Sequence, residues 1–176
     1  MISDEIREKV RNRAGFACEY CGVTETDTGG MLTIDHFQPK TKGGSDNSDN
    51  LIYCCTRCNQ YKLDYWQVRN IDMALWNPRH KPFSEHFIVL DSGMLYPLTQ
   101  TGIFTLQRLR LNRHPLVAYR LRKRHQLEEE RLLSHYRNLV QLLEKANTHL
   151  LRLTKEQQEL LKEQQCLLRL FFNQRK

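Results

Sequence analysis

Apolar positions come in short separated runs over the first hundred residues. They then settle into a helical period that lasts almost to the C-terminus. The opening residues 4–14 predict a short helix: Ser3 can cap it, Asp4 and Glu5 lie in its first turn, basic residues follow, and Gly15 sits where it must stop. "CEYCG" (18–22) predicts a tight turn and "TDTGG" (26–30) another. "MLTIDHF" and "LIYC" predict two short strands, separated by a loop rich in Gly, Ser, Asn and Asp. A helix is expected from Thr56 to about Trp76, ended by Asn77-Pro78. "HFIVLDSGMLYPLT" predicts two strands joined by an Asp-Ser-Gly turn, and "TGIFTLQRLRLNRH" a short helix.

Pro115 suits the first turn of a long helix, and no Gly or Pro occurs between Leu116 and Phe172. Along it Leu132, Tyr136, Leu139, Leu143, Ala146, Leu150 and Leu153 recur in alternating four- and three-residue steps, a heptad-like stripe. Gln157 and Gln164 continue the seam, and "TKEQ" at Thr154 offers a cap at which the helix could restart. The stripe points to a homodimer through the C-terminal helices.

Length and charge narrow the classes. The 176 residues suit one domain, or a small domain with an extension, and the net charge of +7 favours a polyanionic partner. Residues 1–80 hold ten basic and eleven acidic side chains, whereas residues 81–176 hold seventeen and nine. Seven of the basic residues fall between Arg108 and Arg124 with no acid among them. That run reads either as a solvated helix face or as a polyanion-binding surface. No apolar run approaches the ~20 residues that span a bilayer, and the polar N-terminus lacks the core of a secretion signal. A cytoplasmic protein with reduced thiols is expected, so paired cysteines point to metal.

Cys18 and Cys21 are spaced C-x2-C, and Cys55 and Cys58 repeat that spacing. Two such pairs can close a thiolate tetrahedron around structural zinc. Cys55 is preferred to Cys54 as the ligand because its spacing mirrors the first pair, which leaves Cys54 on the other side of its strand. Cys166 is expected as a buried or partly exposed helix residue.

Between the pairs lies Asp35-His36. Asn50 opens the second strand and Asn59 follows the last paired cysteine. Near the start of a helix Cys58 and Asn59 diverge by about 100°, so one can face zinc and the other the Asp35 strand. A carboxylate and an amide oxygen are hard donors suited to Mg²⁺ or Mn²⁺. A neutral histidine beside them can take a proton from water. Together they can hydrolyse a phosphodiester, with Asn50 fixing either the imidazole or the loop around it. A regular strand would point Asp35 and His36 to opposite faces, so a distorted strand end is expected.

The pattern Cys18-x2-Cys21, Asp35-His36, Pro39, Gly43-Gly44, Asn50-Leu51, Cys55-x2-Cys58-Asn59 and Lys62 resembles the HNH endonuclease family over about residues 1–66. The resemblance implies an α+β fold with a zinc-stapled, treble-clef-like ββα-metal core. It implies Asp35 and Asn59 as ligands of a catalytic divalent metal, His36 as general base, Asn50 as a structural or orienting residue, and four cysteines on zinc. The family often has histidine where this chain has Asn59. "WNPRHKPFSEHF … LTQTGIF … LRLNR" resembles an extension of bacterial stand-alone HNH proteins; His80 and His86 flank it as surface, phosphate-contacting or site-adjacent residues.

The reading is a metal-dependent DNA endonuclease; the alternative is a catalytically silent zinc module that binds nucleic acid or a protein. The expected division is a nuclease domain over 1–80, a strand-strand-helix extension over 81–114, and a helical region over 115–176. DNA contacts are expected from Lys40, Lys42 and Lys62, and from Arg108, Arg120, Lys123 and Arg124 in the basic run.

Overall fold

A computed structural model describes residues 2–69 and 72–173, with side chains as far as residue 169. The chain divides into two units, residues 1–124 and residues 125–176. Helix α1 spans Asp4–Arg13, and Ser3 accepts a hydrogen bond from the Ile6 amide as predicted. The "TDTGG" segment is more ordered than a turn. It lies within a one-turn helix, α2 (Glu25–Thr28), and the two glycines that follow. Thr24 and Asp27 cap each other at its start, and Gly29 closes it in the left-handed region.

Strands β1 (Thr33–His36) and β2 (Leu51–Cys54) form an antiparallel pair that sets Asp35 opposite Ile52 and His36 opposite Leu51. Helix α3 (Thr56–Lys62) follows at once. The loop between the strands holds two short 3-10 turns, Lys40–Lys42 and Ser48–Asn50. This ββα order is the predicted core.

The helix expected to reach Trp76 stops at Lys62. Leu63 adopts a positive φ of 54°, and the chain turns away. The cause lies far along the chain. Arg108 donates to the Lys62 carbonyl at 3.0 Å and its guanidinium stacks 5.0 Å from the Tyr65 ring centroid. The Trp76 amide donates to Thr105 Oγ1 at 2.8 Å. These partners hold residues 63–69 and 72–76 out of the helical geometry that propensity alone would allow them.

Helix α4 (Phe83–His86), strands β3 (Phe87–Val89) and β4 (Leu95–Pro97), and helix α5 (Gln100–Arg108) follow. The β3–β4 hairpin and α5 match the sequence reading, as does the start of helix α6 (His114–Asn173) beside Pro115. Thr154 caps nothing: its hydroxyl donates back to the Leu150 carbonyl at 2.9 Å, and α6 runs on. Cys166 on α6 is exposed.

One buried cluster joins Cys18, Tyr20, Ile52, Cys54 and Trp76 to Leu95, Leu109, Leu111 and Leu116. Side chains from both sides of residue 80 thus share a core within the first unit. A second cluster packs Val10 of α1 against Leu51 and Tyr53 of β2. His86, expected at the surface or near the site, is buried in this structure, with Nδ1 2.6 Å from Thr99 Oγ1 and its ring near Trp76 and Phe87. Among the described residues, no helix is long and apolar enough to cross a membrane.

The basic run has a structural use that its charge concealed. Arg113 lies 3.8 Å from Cys58 Sγ and 4.0 Å from Cys55 Sγ. Arg110 and Arg113 both lie over the Tyr61 ring. Arg120 donates to the Gly93 carbonyl at 2.6 Å and the Leu111 carbonyl at 2.9 Å. Arg124 reaches Asp91 at 3.2 Å. Arg108 and Arg120, both expected on DNA, are half-buried and donate to backbone carbonyls.

Candidate active site and zinc centre

The zinc centre is built at two chain reversals. The first is a knuckle in which the Cys18 amide donates to Val23 O at 2.9 Å and the Gly22 amide to Cys18 O at 2.8 Å. The second is the start of α3, where Cys55 is the N-cap and its sulfur accepts from the Cys58 amide. The four Sγ atoms lie within 4.8 Å of one another, and those of Cys21 and Cys55 are 3.8 Å apart. A tetrahedron with Zn–S bonds of about 2.3 Å has edges of about 3.8 Å, so the donors fit zinc in number, chemistry and spacing.

Hydrogen bonds from Cys18, then Cys21 and Cys58, draw the Cys55 thiol strongly down. The Arg113 guanidinium lies beside this sulfur cluster, where it can offset the dianion that four thiolates make with Zn²⁺. Burial pushes the Cys54 thiol up, and it faces Thr33, away from the cluster, as a small core residue.

Asp35 and His36 sit at the end of β1. The ladder stays regular there: the Phe37 amide even continues it by donating to Asn50 O at 2.7 Å. The register is unbroken through His36, and the chain bends just beyond it at Phe37 and Gln38. Alternation sends the two side chains to different partners. Asp35 meets α3: Lys62 Nζ lies 2.8 Å from Asp35 Oδ2. That oxygen accepts no aligned hydrogen bond among the described residues, so charge holds the pair.

Lys62 is completely buried and also donates to the His36 carbonyl at 2.8 Å. It is thus removed from the expected DNA surface. Its side chain ties α3 to the Asp-His pair from within. Burying an ammonium requires such a partner, and the Asp35 carboxylate supplies it. Asn59 is half-buried on α3, one turn before Lys62 and so on a neighbouring face.

His36 meets the loop. Its Nε2 lies 2.7 Å from Asp46 Oδ1, and Lys40 Nζ lies 2.6 Å from Asp46 Oδ2. Lys40 first, then His36, hold the Asp46 carboxyl down at about 2, so it is ionised at any pH near neutrality. Asp46 was not singled out from the sequence. It lies in a polar loop where nothing local separates a functional acid from a solvated one. Its position two residues beyond the Gly43-Gly44 pair is the one signal that could have drawn attention.

Asn50 does not touch the imidazole through any described hydrogen bond. Its Oδ1 accepts from the Gln38 amide at 2.8 Å, and its Nδ2 donates to Gln38 O at 3.0 Å and Ser45 O at 2.9 Å. Of the two roles left open for it, the contacts are those of a loop clasp. Gly44 allows the clasp to close. A Cβ there would lie 1.8 Å from the Gln38 carbonyl oxygen and 2.9 Å from Asn50 Nδ2. Gly44→Ala is therefore expected to force the loop apart and destabilise the first unit by about 1–3 kcal/mol. Gly30→Ala, with nothing within 4 Å of its Cβ, should be neutral. Thermal melts followed by tryptophan fluorescence check the contrast.

A cleft of about 730 Å³ lies against the zinc cluster and is lined by Met31, Tyr61, Arg113 and Tyr119 among others; Asp35 and His36 are not among its lining residues. Lys42 is exposed in the same loop as Asp46, while Lys40 is committed to Asp46 on one side and half exposed. The model of the HNH endonuclease family matches residues 18–64, the span from the first zinc cysteine to the residues just beyond α3. No curated protein and no solved structure matches the chain.

Proposed function

We propose that this chain, whose residues 18–64 form an HNH endonuclease domain, is a metal-dependent DNA endonuclease. The observation that carries this reading is the pairing at the end of β1: a carboxylate and an imidazole on adjacent residues, each fixed by a charged side chain from a different part of the fold. A zinc module that merely binds has no use for that arrangement.

Asp46 accepts the Nε2 proton of His36, which leaves Nδ1 with its lone pair as the basic atom. Nδ1 takes a proton from water as the water oxygen bonds to phosphorus. The phosphorus–oxygen ester bond breaks, and the leaving oxygen acquires a proton from solvent. Asp35 and Asn59 offer a carboxylate and an amide oxygen, donors that fit a hard divalent cation; Lys62 engages Oδ2 of Asp35 and leaves Oδ1 to serve it. When bound, Mg²⁺ or Mn²⁺ would supply charge neutralisation at the phosphate and leaving oxygen. Asn50 acts by holding the loop that carries Asp46, and Lys40 by keeping that acid in place. Lys42, Lys123 and Arg124 are the remaining cations assigned to DNA phosphates. Thiols that serve as metal ligands suit the reducing cytoplasm.

The test is supercoiled plasmid incubated with the zinc-loaded chain and Mg²⁺ or Mn²⁺. Nicked or linear product is expected, and EDTA added briefly should abolish it. Intact plasmid under every metal would sink the nuclease reading and leave the zinc-binding module.

A further inference from the structure

Helix α6 beyond residue 124 carries a long apolar face that nothing among the described residues covers. Its large apolar residues are between 41 and 65 % exposed. Numbered as heptads, the a positions are Tyr136, Leu143, Leu150, Gln157 and Gln164. The d positions are Leu132, Leu139, Ala146, Leu153, Leu160 and Leu167. The outer b, c and f positions carry much of the charge, including Glu144, Lys145, Lys155 and Lys162. The seam from Leu132 to Leu167 spans five heptads, about 50 Å of helix. Eight large apolar side chains line it, and at roughly 100 Å² each two helices would bury about 1,600 Å², the size of a stable interface.

The two glutamines decide the occupant. An apolar partner helix would leave their amides buried without hydrogen bonds, at about 1–3 kcal/mol each. In an antiparallel pair each a position meets a d position, and every d residue here is Leu or Ala. A parallel pair shifted by one heptad matches at most one glutamine of a chain with a glutamine of the other. Only a parallel, in-register pair of identical helices sets Gln157 against Gln157 and Gln164 against Gln164, where each amide can donate to and accept from its twin.

We propose that α6 pairs with the α6 of a second copy of this chain, parallel and in register, along the Leu132–Leu167 seam. The pairing stands apart from the nuclease reading and survives if that reading fails. It gives the enzyme two copies of a site that, alone, breaks one strand at a time.

The experiment uses the full zinc-loaded chain. Light scattering should give twice the 21.0 kDa of one chain. The double variant Leu143→Glu, Leu150→Glu should give single chains with unchanged zinc content, since both residues are exposed in the isolated helix. Register is read by Leu160→Cys in a Cys166→Ser background. Mild oxidation should convert it to a covalent dimer, while Ser134→Cys at an outer position should stay uncrosslinked. A monomeric wild type, a dimer that survives the double glutamate variant, an assembly larger than two chains, or a dimer that Leu160→Cys fails to crosslink would each overturn the proposal.

Discussion

His36→Ala is expected to lower plasmid cleavage by about 10²–10⁴-fold, the usual contribution of a positioned general base, while zinc content and fold stay unchanged. Among the described residues the imidazole's hydrogen bond is to Asp46 Oδ1 at 2.7 Å, and His36 is not part of either core cluster. Its removal therefore costs the scaffold little. The measurement is the cleavage rate under single-turnover conditions with saturating protein, alongside zinc per chain. A rate within about tenfold of wild type would remove His36 from the chemistry. Asp46→Asn should be milder, about 10–100-fold, because the imidazole remains but loses the partner that orients it. Nitrogen chemical shifts of the His36 ring should report the loss of the Nε2–H tautomer in that variant. Equal losses in the two variants would contradict a base-and-orienter division of labour.

The second large effect is expected from Cys58→Ser. Cys58 is fully buried, and its sulfur shares the cluster with three other thiols and lies 3.8 Å from the Arg113 guanidinium. Structural zinc contributes on the order of 10 kcal/mol to folding, comparable to the entire stability of a small domain. Loss of one thiolate should release the metal and unfold the first unit. It would also leave Arg113 near the core without its anion. Far-UV circular dichroism is a poor gauge, because α6 alone runs from His114 to Asn173 and dominates the helical signal. The sensitive readout is Trp76, 3 % exposed in the native chain, whose emission should shift to the red. Retention of one zinc per chain with unshifted emission would mean that the Cys18-Cys21-Cys55-Cys58 assignment is mistaken.

Sequence reasoning succeeded where the deciding interactions are local. Two C-x2-C spacings, a capping serine before α1, an Asp-Ser-Gly turn between β3 and β4, and a proline at the start of α6 each act over a few residues of chain. The choice of Cys55 over Cys54 followed from its spacing to Cys58, and the structure places Cys54 on the far side beside Thr33.

Tertiary contacts decided the rest. Lys62 looks from the sequence like any surface lysine of a basic protein. It is buried because β1, 26 residues away, presents the His36 carbonyl and the Asp35 carboxylate to it. The helix expected to reach Trp76 stops at Lys62 because Arg108, 46 residues on, takes up its terminal carbonyl and stacks on Tyr65. Arg108 and Arg120 read as DNA-binding charge and Arg113 as one member of the same basic run, and the structure gives all three partners within the domain, backbone oxygen for the first two and sulfur for Arg113. Asp46 is one acid in a polar loop until the clasp of Asn50 folds that loop back onto His36. A charge's partner is set by elements that meet only after folding, whereas a spacing, a cap or a turn acts on its own neighbours in the chain.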